Sequence, residues 1–348
     1  MRIAFYYDAP GDWGWRGADL EGRGVGGTET ALVLLARHLA RHAAVTVFCG
    51  VGRPEVHRGV CYRPRSSLGK GEGWDAFVGM RGPVECLPWV RSRVKLFWSC
   101  EEDAVLVGDW AHLLPHLRAV VTLSPYHTAQ LARRSGLSPA LLWEIPLGVN
   151  LSDYRAGPRR DPAKLLYCSV PGRGAEHLGP ILEEIRRRGA AAHLVITSDF
   201  SLWGRPPGDE EQRRRLDGLP GVEYLGKVSR SRLVREQMTA AVHLYPCTVP
   251  ELFCLAALEC QAAGAPTVAT RLGALSTTVA DGATGILLPG RPGEGDFVSR
   301  MAGAVVELLT DPARLARLSR QARRRARGFS YHRIARRWLA RIAAAGGA

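Results

Sequence analysis

Short apolar runs alternate along the chain with longer stretches in which apolar residues recur at helical spacing, the pattern of βα units built around parallel sheets. Residues 2–7 read as a strand, and 28–41 as a helix with Ala31, Leu34, Leu35 and Leu39 on its apolar face. Strands over 44–48, 76–80, 94–98, 119–123 and 142–145, with a helix over 125–135, complete a first α/β half. The stretch 146–164 carries Pro146, Gly148 and a charged run and reads as a linker. The alternation then restarts. Strands are expected at 165–169, 193–197, 222–225, 242–245 and 267–270, with helices near 175–188, 209–216, 230–240, 252–263 and 296–309. A last amphipathic stretch over 312–344 sets Leu315, Leu318, Ile334, Trp338 and Ile342 among arginines. It reads as a closing helix packed on the domains, with a helix lying on a membrane surface as the alternative.

Length agrees with two halves, because 348 residues exceed what one hydrophobic core usually holds. No apolar run reaches the roughly 18–20 residues that span a bilayer. The start, Met1-Arg-Ile-Ala-Phe-Tyr-Tyr-Asp8, reads as a first strand and not a signal peptide, so the expected compartment is the cytoplasm. Cysteines stand at 49, 61, 86, 100, 168, 247, 254 and 260 without a CxxC pair or a histidine at metal-ligand spacing. They are expected to be reduced and to pack as small hydrophobes, with no zinc site.

The net charge of +14 (47 basic against 33 acidic residues) favours anionic partners, nucleotide phosphates or acidic lipids among them. Only Lys70, Lys95, Lys164 and Lys227 are lysines, a bias that genome composition explains as readily as binding. The densest basic stretch, 314–341 with Arg323-Arg324-Arg325, lacks interleaved aromatics and fits no nucleic-acid motif. Nucleic acid is therefore excluded as a partner, while peripheral contact with an acidic membrane stays open.

Gly22-Arg-Gly24-Val-Gly26-Gly27 formally matches GxGxxG. A dinucleotide fingerprint would follow its strand at once and be answered by an acid after the next strand. Here the loop stands well beyond Tyr7, and the second strand ends at Cys49-Gly50 without an acid, which excludes a dehydrogenase. As an anion site the loop still makes sense. Gly26 and Gly27 leave room for a phosphate, Thr28 is placed to cap the following helix, and Glu29 suits its positive end.

Two acids stand in an otherwise apolar stretch, Glu251-Leu-Phe-Cys-Leu-Ala-Ala-Leu-Glu259. Read as one helix, the E-x7-E spacing sets them about 12 Å apart along the axis and about 80° apart around it, so both can face one ligand. Buried carboxylates need partners, and the vicinal hydroxyls of a sugar and a ribose suit them. The amides of Leu252, Phe253 and Cys254 would then sit at the helix start, where a diphosphate is favoured.

These residues resemble the family 4 retaining glycosyltransferases of GT-B fold. The likeness rests on E-x7-E followed by Ala-Gly264-Ala-Pro-Thr-Val-Ala-Thr270, and on the turn Asp281-Gly-Ala-Thr-Gly285. Gly24-Val-Gly26-Gly27-Thr28-Glu29-Thr30, Ile145-Pro-Leu-Gly148-Val-Asn150, Tyr224-Leu-Gly226-Lys-Val-Ser229 and Phe329-Ser-Tyr331 extend it over most of the chain. The resemblance implies an α/β protein of two doubly wound, Rossmann-like domains facing a cleft, with the C-terminal helix crossing back to the first. It implies an acceptor-side domain over 1–150, a nucleotide-sugar-binding domain over 151–325 and a crossover helix over 326–348.

It further implies transfer of a sugar from a UDP-, GDP- or ADP-type donor to an acceptor hydroxyl, with anomeric configuration retained. Glu251 would contact the donor sugar, Glu259 the ribose, and Gly26 and Gly27 would admit the diphosphate. Many family members place an arginine at the end of the second domain's first strand and a lysine soon after. Here Cys168-Ser169-Val-Pro-Gly-Arg173-Gly174 has no arginine at the strand end and Arg173 in the lysine position. Arg173 would bind phosphate, with Lys227 a candidate for the second charge. The family's first-domain histidine is also missing. Phe97-Trp98-Ser-Cys100-Glu101-Glu102-Asp103 stands there, so Glu101 and Asp103 become candidates to orient or deprotonate the acceptor. His127 reads as a helix-start residue rather than a base. Without a DxD signature no obligatory metal or other cofactor is expected. The alternatives on the same architecture are a sugar-nucleotide epimerase, a glycan phosphorylase and a non-catalytic nucleotide-sugar-binding protein.

Overall fold

A computed structural model describes residues 1–9, 14–101, 110–155, 157–203 and 210–347. The chain divides into two compact units: unit 1 is 1–20, 25–148 and 331–348, and unit 2 is 21–24 and 149–330.

In unit 1 the strands are β1 (Arg2–Tyr7), β2 (Ala44–Cys49), β3 (Glu55–His57), β4 (Val60–Pro64), β5 (Gly73–Met80), β6 (Arg91–Trp98), β7 (Ala119–Thr122) and β8 (Leu142–Glu144). Among the described residues they form one sheet in the order β3-β4-β2-β1-β5-β6-β7-β8. All neighbours are parallel except β3 and β4, an edge hairpin turning through Arg58 and Gly59, both at positive φ. Its helices are α1 (Gly27–Leu39), α2 (Trp110–Leu113), α3 (Pro125–Ser135) and, at the far end of the chain, α11 (Tyr331–Gly346). The β3–β4 hairpin had no counterpart in the sequence reading, because its short strands are half exposed and their apolar positions too few to stand out.

In unit 2, β9 (Lys164–Tyr167), β10 (His193–Ile196), β11 (Val222–Tyr224), β12 (Val242–Tyr245), β13 (Thr267–Thr270) and β14 (Gly285–Leu288) form a wholly parallel sheet in the order β11-β10-β9-β12-β13-β14. Its helices are α4 (Leu178–Arg187), α5 (Glu210–Asp217), α6 (Arg230–Thr239), α7 (Leu255–Ala263), α8 (Leu275–Thr278), α9 (Phe297–Thr310) and α10 (Pro312–Ala326). Parallel strands covered on both faces need unbroken apolar runs, and β9, β12 and β13 are buried at every position. This is the doubly wound strand order in which β9 is flanked by β10 on one side and β12 on the other. A crevice therefore opens at the carboxyl ends of β9 and β12, where the winding reverses.

The last stretch is two helices and not one. α10 ends at Ala326, a short turn over Arg327–Phe329 follows, and α11 begins at Tyr331 within unit 1. Its apolar face (Ile334, Trp338, Ile342) is buried in unit 1, and Arg336, Arg337 and Arg341 are exposed opposite it. A membrane-surface helix would need that face, so the closing-helix reading holds for α11. Among the described residues no helix is long and apolar enough to cross a membrane.

Trp338 is 1% exposed and stacks edge-on against Trp98 at 5.3 Å and Phe5 at 6.1 Å. Trp338→Ala is expected to cost about 3–5 kcal/mol, the usual range for emptying a buried aromatic site. Urea unfolding, followed by near-ultraviolet circular dichroism, measures it.

Candidate functional site in unit 2

The switch-point crevice is lined by the loop after β9, which carries Arg173, and the loop after β12, which carries Glu251. Two glycines bring these loops together. Gly174 lies at φ +107, and a β-carbon there would stand 1.9 Å from the Pro246 carbonyl oxygen, so no other residue lets the β9 loop approach so closely. Gly273, at φ +58, lies against the Glu251 backbone, and the two residues form a parallel bridge. Ala274 N–H donates to the Glu251 carbonyl at 2.6 Å.

Glu251 is thus extended backbone ahead of the helix, which corrects the one-helix reading of the two acids. α7 starts only at Leu255, capped by Cys254 in the left-handed region at φ +70. Leu252, Phe253 and Cys254 form the bend between bridge and helix, so the first-turn amides of α7 begin at Leu255. An uninterrupted apolar run hid this break, since the left-handed turn falls on a cysteine instead of a glycine.

Glu251 is 9% exposed. Arg173 donates to its Oε1 at 2.6 Å, and the Tyr245 hydroxyl donates to the same oxygen. No hydrogen bond reaches Oε2 among the described residues. Burial, and after it the Glu251 charge, pushes the Tyr245 hydroxyl well above its ordinary pKa, so it remains a protonated donor. Burial opposes the charge on Arg173, but Glu251 and Tyr245 outweigh it and raise the guanidinium pKa. The result is a fixed carboxylate with one oxygen held from inside.

Glu259, on α7, is 4% exposed and has both oxygens engaged: Arg230 donates to Oε1 at 2.6 Å and Gln237 to Oε2 at 3.1 Å. Arg230 also reaches Asp153 at 3.1 Å and the Tyr154 hydroxyl at 3.1 Å, and Tyr154 donates to Gln237 at 2.7 Å. Burial pulls the Arg230 pKa down and Glu259 pushes it back, leaving it well above its ordinary value and the side chain cationic. Sequence reading missed Arg230, one arginine of several in Ser229-Arg-Ser-Arg-Leu-Val-Arg235, because nothing in that run distinguishes the buried one. Tyr245 was missed as an ordinary strand-end aromatic.

Lys227 sits in the loop after β11. Asp199 accepts from its backbone N–H at 3.0 Å, and its Nζ donates to the Ser201 carbonyl at 3.2 Å. Asp199 therefore ties the Lys227 loop to the end of β10.

In unit 1, Gly26 is the N-cap of α1 and Gly27 its first residue, which corrects the expected capping by Thr28; Thr28 lies inside the first turn. A β-carbon on Gly27 would meet nothing within 4 Å, while the N-cap Gly26 is itself buried. Glu29 is buried in that turn and accepts from the Tyr7 hydroxyl. Glu101 pairs with Arg81, which follows β5 at φ +75. Its carboxylate is thereby committed to a cation, while Asp103 and its neighbour Glu102 lie outside the described residues.

His127 stands in the first turn of α3, beneath the Ser124 cap, and is 2% exposed. Its Nδ1 accepts from Leu123 N–H at 3.2 Å, and Nε2 lies 3.2 Å from Ser99 Oγ, a pattern that uses the neutral ring. This is a helix-start residue, as read. Burial lowers its pKa from 6.5 to about 4. The unfolded chain thus takes up the proton first, and the stability this group supplies is complete above pH 6.5 and lost as pH falls from 6.5 towards 4. About 2 kcal/mol should be gone by pH 5. Urea unfolding at pH 7 and pH 5 measures the loss, and His127→Gln should remove that part of the difference.

Residues 169–311 match the family model described as glycosyl transferases group 1. The chain is 30% identical over 251 residues to D-inositol 3-phosphate glycosyltransferase 2 of Catenulispora acidiphila, covering 66% of this chain and 57% of the relative. It therefore spans little more than half the length of that protein. Among solved structures, sucrose-phosphate synthase from Thermosynechococcus elongatus superposes with a TM-score of 0.75 at 20% identity over 97% of each chain. Anabaena HepE, solved in complex with UDP-glucose, gives 0.71 at 15% identity over 98% of this chain and 99% of its own. The fold common to these structures is GT-B, with two parallel-sheet α/β domains.

Proposed function

We propose, from the match of residues 169–311 to the glycosyl transferases group 1 family model, that the chain is a member of that family and moves a sugar from a nucleoside-diphosphate donor to an acceptor hydroxyl with retention of configuration. The observation that carries this reading is Glu251 at the switch-point crevice, with Oε1 held by Arg173 and Tyr245 and Oε2 left to accept from a sugar hydroxyl.

Arg173 keeps one N–H on Glu251 and has further donors for a donor phosphate, and Lys227 is the candidate second cation. The amino end of α7, from Leu255, adds its dipole to the diphosphate in place of the amides of Leu252–254. Glu259 meets the ribose hydroxyls with the lone pairs that Arg230 and Gln237 leave. Departure of the nucleoside diphosphate builds negative charge, which these fixed donors stabilise more strongly than they do the ground state. Gly26 and Gly27 are the candidates to admit the diphosphate, and Glu101 or Asp103 the candidates to orient the acceptor. No added divalent metal is needed for transfer, and the reaction runs in the cytoplasm.

Because one relative is named for inositol 3-phosphate and one structural neighbour was solved with UDP-glucose, those two compounds are the first acceptor and donor to try. Proton NMR of the mixture, with and without Mg²⁺, is expected to show a new glycoside with the donor's anomeric configuration and stoichiometric free nucleoside diphosphate. The screen extends to GDP-, ADP- and dTDP-sugars and to other polyols. An epimerised donor without acceptor, or turnover only with inorganic phosphate, would replace the proposal by an epimerase or a phosphorylase.

A further inference from the structure

Cys168, just beyond β9, His243 in β12 and Cys260 in α7 come from three separate elements of unit 2, yet one ligand atom of each lies within 4.8 Å of the others. The two sulfurs are 3.7 Å apart. Two thiolates on one tetrahedral zinc, each at about 2.3 Å, stand about 3.8 Å apart, so the spacing already suits a shared ion. His243 is fully buried, with Nδ1 3.2 Å from Thr267 Oγ1 and with no hydrogen-bond partner on Nε2 among the described residues. With Nδ1 donating to Thr267 Oγ1, Nε2 carries the free lone pair, which is how a metal-binding histidine is usually held. Leu166, Val195, Ala240 and Ala265 pack around Cys260, and Gln237 is the further polar side chain that reaches Cys168.

We propose that Cys168, His243 and Cys260 form a site for a soft divalent cation, zinc above all, with the fourth position open to water. Each thiol gives up its proton on binding, and the ion then joins β9, β12 and α7 beneath the donor crevice. None of its ligands hydrogen-bonds Glu251 or Arg173, but the site adjoins Glu259, whose partner Gln237 also reaches Cys168. Linear spacing could not have revealed it, since the three ligands meet only through the fold.

The test uses the whole chain, expressed with zinc and dialysed against metal-free buffer. One equivalent of zinc per chain is expected by elemental analysis. Cobalt(II) exchanged into the same protein should give thiolate-to-cobalt charge-transfer absorption and the visible bands of a tetrahedral ion. Cys168→Ser, His243→Ala and Cys260→Ser should each lose the charge-transfer band or reduce it severalfold, while Cys61→Ser keeps it. The cobalt spectrum of the unaltered chain decides the matter even if a variant folds poorly. Absence of both zinc and the cobalt band overturns the proposal, as does a Cys168–Cys260 disulfide in protein prepared under reducing conditions, or a band that survives in all three folded variants.

Discussion

Glu251→Ala should lower kcat/KM by about 10²–10³, because a buried carboxylate that hydrogen-bonds a substrate hydroxyl contributes about 3–4 kcal/mol once its partner is left unpaired. The effect has two parts. The substrate hydroxyl loses its acceptor, and Arg173 and Tyr245 lose the oxygen that fixes them. Arg173 is 30% exposed and can be rehydrated, so the change in folding stability should be much smaller than the change in rate. Glu251→Gln keeps the shape and one acceptor oxygen but not the charge, and should recover only part of the activity. Slow hydrolysis of the donor without acceptor should fall with transfer, since both depend on how the donor is held. Steady-state kinetics and release of free nucleoside diphosphate measure the two; an unchanged kcat/KM removes Glu251 from the mechanism.

A large stability loss is also expected at Arg230. It is 9% exposed and is the common partner of Glu259, Asp153 and Tyr154. Breaking a buried pair from one side typically costs about 3–5 kcal/mol, because the other charge remains buried without compensation. For Arg230→Ala this corresponds to a melting transition of unit 2 lowered by roughly 10 °C. Arg230→Lys should recover little, since a single ammonium cannot reproduce the planar fork that reaches three partners. In a double-mutant cycle, Arg230→Met with Glu259→Gln should lose less than the two single changes together, by at least about 1 kcal/mol. Additive losses would mean that the two side chains do not act as a pair.

Much of the architecture was legible because parallel strands buried on both faces leave continuous apolar runs. Leu165-Leu-Tyr167, Val242 to Tyr245 and Thr267 to Thr270 stand out for that reason, and the helices between them follow. β14 was not separated from the turn at Asp281, and the β3–β4 hairpin lies half exposed at a sheet edge. The E-x7-E pair was found, but its geometry was not. Apolar residues run without a break from Leu252 to Leu258, so helical period continues on paper through a bend that the chain makes at Cys254. Which cation meets which acid was equally hidden. Arg173 was assigned to phosphate by its position in a motif, whereas its contact with Glu251 depends on Gly174 admitting the Pro246 carbonyl. For Glu101 the sequence offered an acid after a strand and no sign of Arg81, which reaches it from the neighbouring strand's end.

The central claim is that a nucleoside-diphosphate sugar binds at the crevice bounded by Arg173 and Glu251. Isothermal titration calorimetry of the whole chain with UDP-, GDP-, ADP- and dTDP-sugars tests it most directly. One of these donors is predicted to bind in a single saturable site, with affinity reduced at least tenfold in Glu251→Ala and in Arg173→Ala. Failure of all four to bind, or binding left unchanged by both substitutions, would contradict it.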